Sequence, residues 1–302
     1  MKKTILIIIA VFIGVVFLAH ADETISQKMV RFYDEKLLKS EKGDLEALKE
    51  LCDDYKEYGV ILSEDKARVF KVFERCAKEG DVCCQYSIGS LYTRGVGVQA
   101  DNKKAIKWFE KAANQGDAFS SYEIGLIYSV GKSDMPENYK EAFRWFKKAA
   151  EAGTIHAQAA LGDMYYHGQG IPVNYKLSFY WHEKAAAQGE SFSQCRIGEM
   201  FFDGQGVDKN ETLAFQWYKK AAERKNTKAQ MMTGLFYSYG VGGEPINTVA
   251  GYKWLSIAIA GNDKTISDKA GEFLKEISAR MTSVEIDAAQ KEAEEWWAKF
   301  NN

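Results

Sequence analysis

Proline is nearly missing from this chain: three residues in 302, against sixteen tyrosines and seventeen phenylalanines. With much Ala, Lys and Glu beside it, that scarcity leaves helix as the favoured local state. A surplus of charge is lacking too. The formal net charge is −2, so the cations that neutralise phosphates are not in excess and nucleic acid is excluded as a partner. No apolar run reaches the roughly twenty residues that span a bilayer; the longest, Ile5 to Ala19, has fifteen. Histidine is scarce, and His20, His156, His167 and His182 stand apart with no Cys or carboxylate at ligand spacing. No metal site and no cofactor are therefore expected. Phosphate loops are also lacking, because the glycine pairs of this sequence precede no Lys-Ser/Thr and follow no strand. Disorder is excluded by an ordinary hydrophobic fraction of 46%.

The first residues read as a secretory leader. Lys2 and Lys3 precede the apolar run, and Ala19-His20-Ala21 places small residues where a signal peptidase reads them. Cleavage is expected after Ala21, leaving a periplasmic or secreted chain without membrane insertion. Export permits disulfides. The cysteines are Cys52, Cys76, Cys83, Cys84 and Cys195, an odd number that leaves at least one over within a monomer.

The rest of the chain repeats itself. Gly43, Gly80, Gly116, Gly153, Gly189 and Gly261, with Lys225 in the one vacant slot, follow each other at spacings of 37, 36, 37, 36, 36 and 36. After each comes Asp44, Asp81, Asp117, Thr154, Glu190, Asn226 or Asn262, of which all but the glutamate are helix-capping types. Ile88, Ile124, Leu161 and Ile197 then sit three residues before Leu91, Ile127, Met164 and Met200, the helical period rather than the strand period. Within this first helix recur Gly89, Gly125, Gly162, Gly198 and Gly234. A mid-helix glycine costs about 1 kcal/mol relative to alanine, so its recurrence implies a backbone contact too close for a side chain. The partner is read as the paired alanines of a second helix: Ala112-Ala113, Ala149-Ala150, Ala185-Ala186 and Ala221-Ala222. Glycine pairs such as Gly95/Gly97 and Gly204/Gly206 form the loop between the helices. Asp65, Asp101, Asn138, Asn174, Asn210 and Asn247 cap the second helix. Trp108, Trp145, Trp181, Trp217 and Trp254 recur once per unit and are read as core.

These columns place a capping helix at 22–42 after the leader of 1–21. Six units follow across 43–261 (about 43–79, 80–115, 116–152, 153–188, 189–224 and 225–260). Residues 262–302 hold a half-unit and a terminal capping helix that opens on Thr282-Ser-Val-Glu285, a capping-box pattern. Atypical charged ends of this kind keep a stack of repeats soluble.

The paired alanines, the anchor glycine, the Ala-x-x-x-[Ile/Leu]-Gly-x-[Leu/Met]-[Tyr/Phe] run and the loop glycines together resemble the Sel-1-like repeat, a relative of the tetratricopeptide repeat. The best copy runs from Ala157 to Gly189. The first unit departs from the pattern, with Cys52 in the glycine slot and Val72 in the tryptophan slot. The resemblance implies an all-α fold, a right-handed α/α superhelical solenoid of helix-turn-helix repeats with terminal capping helices. It implies a role in protein–protein interaction as scaffold or adaptor. A weaker resemblance, to the cysteine-rich secreted branch of the family, implies a Cys76–Cys84 disulfide between one second helix and the next first helix.

By register with the tetratricopeptide fold, the first helices would line a concave, partner-binding groove. Its residues would be Phe119 and Tyr122, then His156, Tyr166 and His167, then Phe192, Glu199 and Phe202, and finally Met231 and Tyr239. Cys195 would lie there too, open to an intermolecular link. The leading expectation is an exported binding protein with a protein partner and no catalytic residues. One alternative is a periplasmic immunity protein that neutralises a secreted toxin. Another is a weak penicillin-binding or β-lactam-hydrolysing enzyme. Ser63-Glu-Asp-Lys66 and Ser129-Val-Gly-Lys132 match Ser-x-x-Lys, but the companion motifs of a serine β-lactamase are missing.

Overall fold

The structure, a computed structural model, describes residues 23–301 apart from 60–62, 64, 132–134 and 244. The expected leader, with its cleavage position, lies outside the described residues. Among the described residues fifteen α-helices follow one another: α1 (Glu23–Glu41), α2 (Leu45–Tyr58), α3 (Lys66–Lys78), α4 (Val82–Arg94), α5 (Asn102–Asn114), α6 (Ala118–Val130), α7 (Tyr139–Glu151), α8 (Ile155–His167), α9 (Tyr175–Ala187), α10 (Ser191–Asp203), α11 (Glu211–Glu223), α12 (Thr227–Tyr239), α13 (Thr248–Ile259), α14 (Lys264–Ser278) and α15 (Ser283–Asn301). No strand forms among the described residues, and none of these helices is long and apolar enough to cross a membrane. Consecutive helices pack as pairs, as in a solenoid. The chain divides into two compact units, one ending at Trp145 and one beginning at Phe146.

Capping sets the helix boundaries. Asp44, Asp81, Asp117 and Asn226 accept amide hydrogens at the starts of first helices, and Asp65, Asp101, Asn174, Asn210 and Asn247 do so for second helices. Each such cap is worth about 1 kcal/mol over alanine. Three positions behave otherwise than their residue types predict. Thr154 makes no side-chain cap, whereas Glu190 accepts from the amides of Phe192 and Ser193. The cap of α14 is Asp263 and not Asn262. The capping box is reciprocal: the amide of Thr282 donates to Glu285, and that of Glu285 to the Thr282 hydroxyl.

The mid-helix glycines do not face the alanines. A Cβ on Gly89 would stand 2.7 Å from the Phe109 ring, one on Gly162 2.7 Å from His182, and one on Gly198 2.8 Å from Tyr218. In these three repeats the second helix thus contributes a large ring, placed one residue after the tryptophan, and the glycine makes room for it; at Gly234 the aliphatic Leu255 takes the place of the ring. Phe109, His182 and Tyr218 are almost wholly buried. The tryptophans lie further out: Trp181 and Trp254 are buried, but Trp108, Trp145 and Trp217 are only half-buried. Lys111 and Lys220 lie over the rings of Trp108 and Trp217.

The alanine pairs serve the next junction. Ala77 and Ala186 carbonyls accept both the turn amide (Gly80, Gly189) and the side-chain amide of a buried glutamine (Gln85, Gln194). Gln158 and Gln230 repeat the glutamine bond to Ala150 and Ala222. The second loop glycine fixes the spacing to the preceding repeat. A Cβ on Gly206 would meet the Tyr175 backbone at 2.6 Å, and its φ of 76° suits glycine besides.

The C-terminal helix closes unit 2. Ala289, Ala293 and Trp296 of α15 are buried, and Trp296 meets Trp254 edge-on at 5.7 Å.

Candidate functional site

Within each first helix the second residue points outward. That register holds Cys83, Phe119, His156, Phe192 and Lys228, of which the cysteine is half-buried and the others are exposed. Phe119 is 57% exposed and Phe192 44%, large areas for phenylalanine where no core duty holds them.

In unit 1, Phe119 borders a small pocket with Tyr86, Lys56 and Asp53. Lys56 pairs with Asp117 at 3.0 Å and lies over the Tyr86 ring. Tyr122, one turn on from Phe119, is half-buried, and burial raises its hydroxyl pKa.

In unit 2 the expected residues gather around one that the sequence reading passed over, Arg196. Its guanidinium sits 4.4 Å from the centre of the Tyr166 ring and 5.3 Å from that of Phe192. It pairs with Glu199 at 2.6 Å and Asp163 at 3.4 Å. Glu199 is bridged in turn by Lys228, and the Tyr166 hydroxyl donates to Gln205 at 2.5 Å. An aromatic–guanidinium–carboxylate set of this kind is a rigid, amphipathic surface. It edges an open pocket of about 870 Å³ that Phe192, Arg196, Glu199, Lys225, Lys228 and Lys264 help to line. Arg196 and Lys228 stand in the repeat register, but nothing about a single Arg or Lys on a helix distinguishes it before its neighbours are known.

Other expected residues go elsewhere. His156 and His167 are exposed, and His167 lies beside the Tyr166 ring. Tyr239, 39% exposed, donates to Glu276 of α14 at 3.0 Å. Phe202 is half-buried against Phe236. Met231 is not a surface residue: it is buried with Leu255, Ala270 and Ile277, because α14 continues the stack over it. Cys195 is 3% exposed, and burial pushes its thiol up to about 12, so no intermolecular link starts there. His182 occupies the core slot described above, with Nδ1 3.1 Å from the Ser193 hydroxyl.

Cys76 and Cys84 are paired, their Cα atoms 5.9 Å apart. This joins the alanine column of α3 to the small-residue column of α4. Among the described residues, Cys52, Asp81 and Cys84 form the one Cys/acid grouping tight enough for a metal ion. Its Cys84 is taken by Cys76, and its Asp81 caps α4. Of the Ser-x-x-Lys matches, Ser63 is buried and donates to Asp34 at 2.7 Å. Ser129 donates to the Leu126 carbonyl, and Lys132 lies outside the described residues.

Comparison with known proteins bears on the fold. No curated protein matches the sequence significantly. Among solved structures, a Sel1 repeat protein from Oxalobacter formigenes is 28% identical with a TM-score of 0.59, over 66% of this chain and 86% of that one. The protein c5321, a protective antigen present in uropathogenic Escherichia coli strains, is 22% identical with a TM-score of 0.53, over 91% of this chain and 68% of its own. Cysteine-rich protein B of Helicobacter pylori is 25% identical with a TM-score of 0.34, over 42% of this chain and 90% of that one. The Sel1 repeat itself matches at residues 84–117, 118–154, 155–190, 191–226 and 227–263. With more than half its length matched in five consecutive copies, the chain belongs to the Sel1 repeat family.

Proposed function

We propose that this chain is an exported binding protein that engages a protein partner through its first-helix face, as a scaffold or adaptor in the cell envelope. The Sel1 repeat is a fold suited to protein–protein interaction, and its family is generally non-catalytic. The observation that carries the reading is the Arg196 cluster. Phe192, exposed and free of core duty, stands beside a guanidinium fixed by Tyr166, Asp163 and Glu199 at the rim of an open pocket. Aromatic residues and arginine dominate the binding energy of protein interfaces.

The test has two parts. N-terminal sequencing of the protein recovered from the envelope or medium of its native host should begin at Asp22; retention of Met1 would end the export half of the proposal. Wild type and Phe119→Ala/Phe192→Ala are then compared as bait in the envelope extract. A partner held by wild type should bind the double variant at least ~30-fold more weakly, the loss of about 2 kcal/mol typical of an interface hot spot. Equal binding by the two would place the interface elsewhere. Identification of that partner, an envelope component or a secreted toxin, separates the scaffold from the inhibitor.

A further inference from the structure

The pocket beside Phe192 has a sign of charge that the chain as a whole does not. The protein carries a formal net charge of −2. Four cationic side chains, Arg196, Lys225, Lys228 and Lys264, line the pocket against two acidic ones, Glu199 and Asp263. Both acids are engaged. Glu199 is shared by Arg196 and Lys228, and Asp263 caps α14 by accepting the Ile266 amide at 3.1 Å. The cations outnumber the acids even with Asp163 counted, which pairs with Arg196 from outside the lining.

Lys225 is held at this pocket against the preference of its backbone. Its φ of 64° is left-handed, in the slot where other repeats place Gly80, Gly116, Gly153 and Gly189. Among the described residues it is the one non-glycine with positive φ. A β-carbon in that conformation is strained, and strain of this kind clusters at functional sites. What lysine offers there, and glycine does not, is a long cationic arm at the pocket. Exposed Phe192 and half-buried Ile266 give the same pocket an apolar side.

We propose that this pocket takes an acidic segment of the partner protein. Its Glu or Asp side chains pair with Lys225 and Lys264, and an apolar residue beside them packs on Phe192. The proposal rests on the first-helix face being the binding surface and names the chemistry of what that surface selects. Complementary charge of this kind steers encounter and rejects partners of the wrong sign. A protein segment fits better than a lipid headgroup, because carboxylates and an apolar side chain a few ångströms apart match both halves of the lining.

The experiment is fluorescence anisotropy of the full chain with an end-blocked oligoglutamate peptide carrying a central leucine and a fluorophore. The same peptide with glutamine for glutamate is the neutral control. The acidic peptide should bind, more weakly as salt rises, and the neutral one should bind at least ~10-fold more weakly. Lys225→Gly/Lys264→Gln should weaken the acidic peptide by about 10-fold, the loss of two solvent-facing ion pairs. Lys225→Gly alone should raise the urea midpoint while it weakens the peptide, which separates lost binding from lost fold. Equal binding of the two peptides would overturn the proposal, as would undiminished binding by the double variant. So would no binding of the acidic peptide at millimolar concentration. Phosphatidylglycerol vesicles held more tightly than the peptide, with the same dependence on Lys225 and Lys264, would make this a headgroup site and overturn it too. None of these outcomes decides the first-helix reading, which fails if the native partner binds Phe119→Ala/Phe192→Ala undiminished.

Discussion

Gly162 is boxed in by a histidine that cannot retreat. His182 is fully buried and tied to Ser193, so a Cβ at 2.7 Å has nowhere to send the ring. Gly162→Ala should destabilise the protein by about 1–3 kcal/mol in urea denaturation, although alanine favours helix by about 1 kcal/mol. Lys225 is the opposite case. It holds φ of 64° in the slot that glycine fills elsewhere, and Lys225→Gly should stabilise by about 1 kcal/mol in the same assay. Glu123 on α6 has its carboxyl pKa raised by burial. A folded-state pKa above the unfolded one means that the native state holds the proton more tightly. Stability from this group is therefore present at acid pH and lost as pH rises through the window between the two values. Glu123→Gln should raise the melting temperature at pH 7 and leave it nearly unchanged below the unfolded pKa; an equal shift at both pH values would contradict that cause.

Among elements, the junction between repeats depends on a glutamine that no motif names. Gln158 donates to the Ala150 carbonyl and accepts from Gln188 at 2.8 Å, and Gln85 does the same with Ala77 and Gln115. Each is buried and fully engaged, so its removal strands polar partners away from water. Gln158→Leu should cost about 1–3 kcal/mol, seen as a lower denaturant midpoint with the same slope. The terminal helix is a cap of a different kind, apolar rather than hydrogen-bonded. Trp296→Ala should cost about 3–5 kcal/mol, since it uncovers the Trp254 ring as well as losing its own buried surface.

For the molecule as a whole, a stack in which each repeat touches its neighbours makes stability a sum of local terms. Hydrogen exchange of Trp296→Ala should accordingly lose protection chiefly in α13, α14 and α15, with the helices of unit 1 unaffected. The same locality separates the chemistry of the two units. The Cys76–Cys84 disulfide of unit 1 ties the atypical first repeat to the next, while the Arg196 cluster of unit 2 carries the proposed binding surface.

The amino-acid sequence by itself determined the period, the helix boundaries and the loops, because caps, glycines and apolar spacing act within a few residues of where they stand. The outward register of Phe119, His156 and Phe192 was legible for the same reason. What faces the mid-helix glycine was decided only by tertiary structure. A helix presents both its alanines and its ring residues to neighbours, and packing alone determines which neighbour meets which. The gathering of Tyr166, Phe192, Glu199 and Lys228 about Arg196, the burial of Met231 under α14, and the approach of Cys52 to the Cys84 sulfur belong to the same class. Each joins residues on different helices, and the distance between such residues is fixed by how the helices stack.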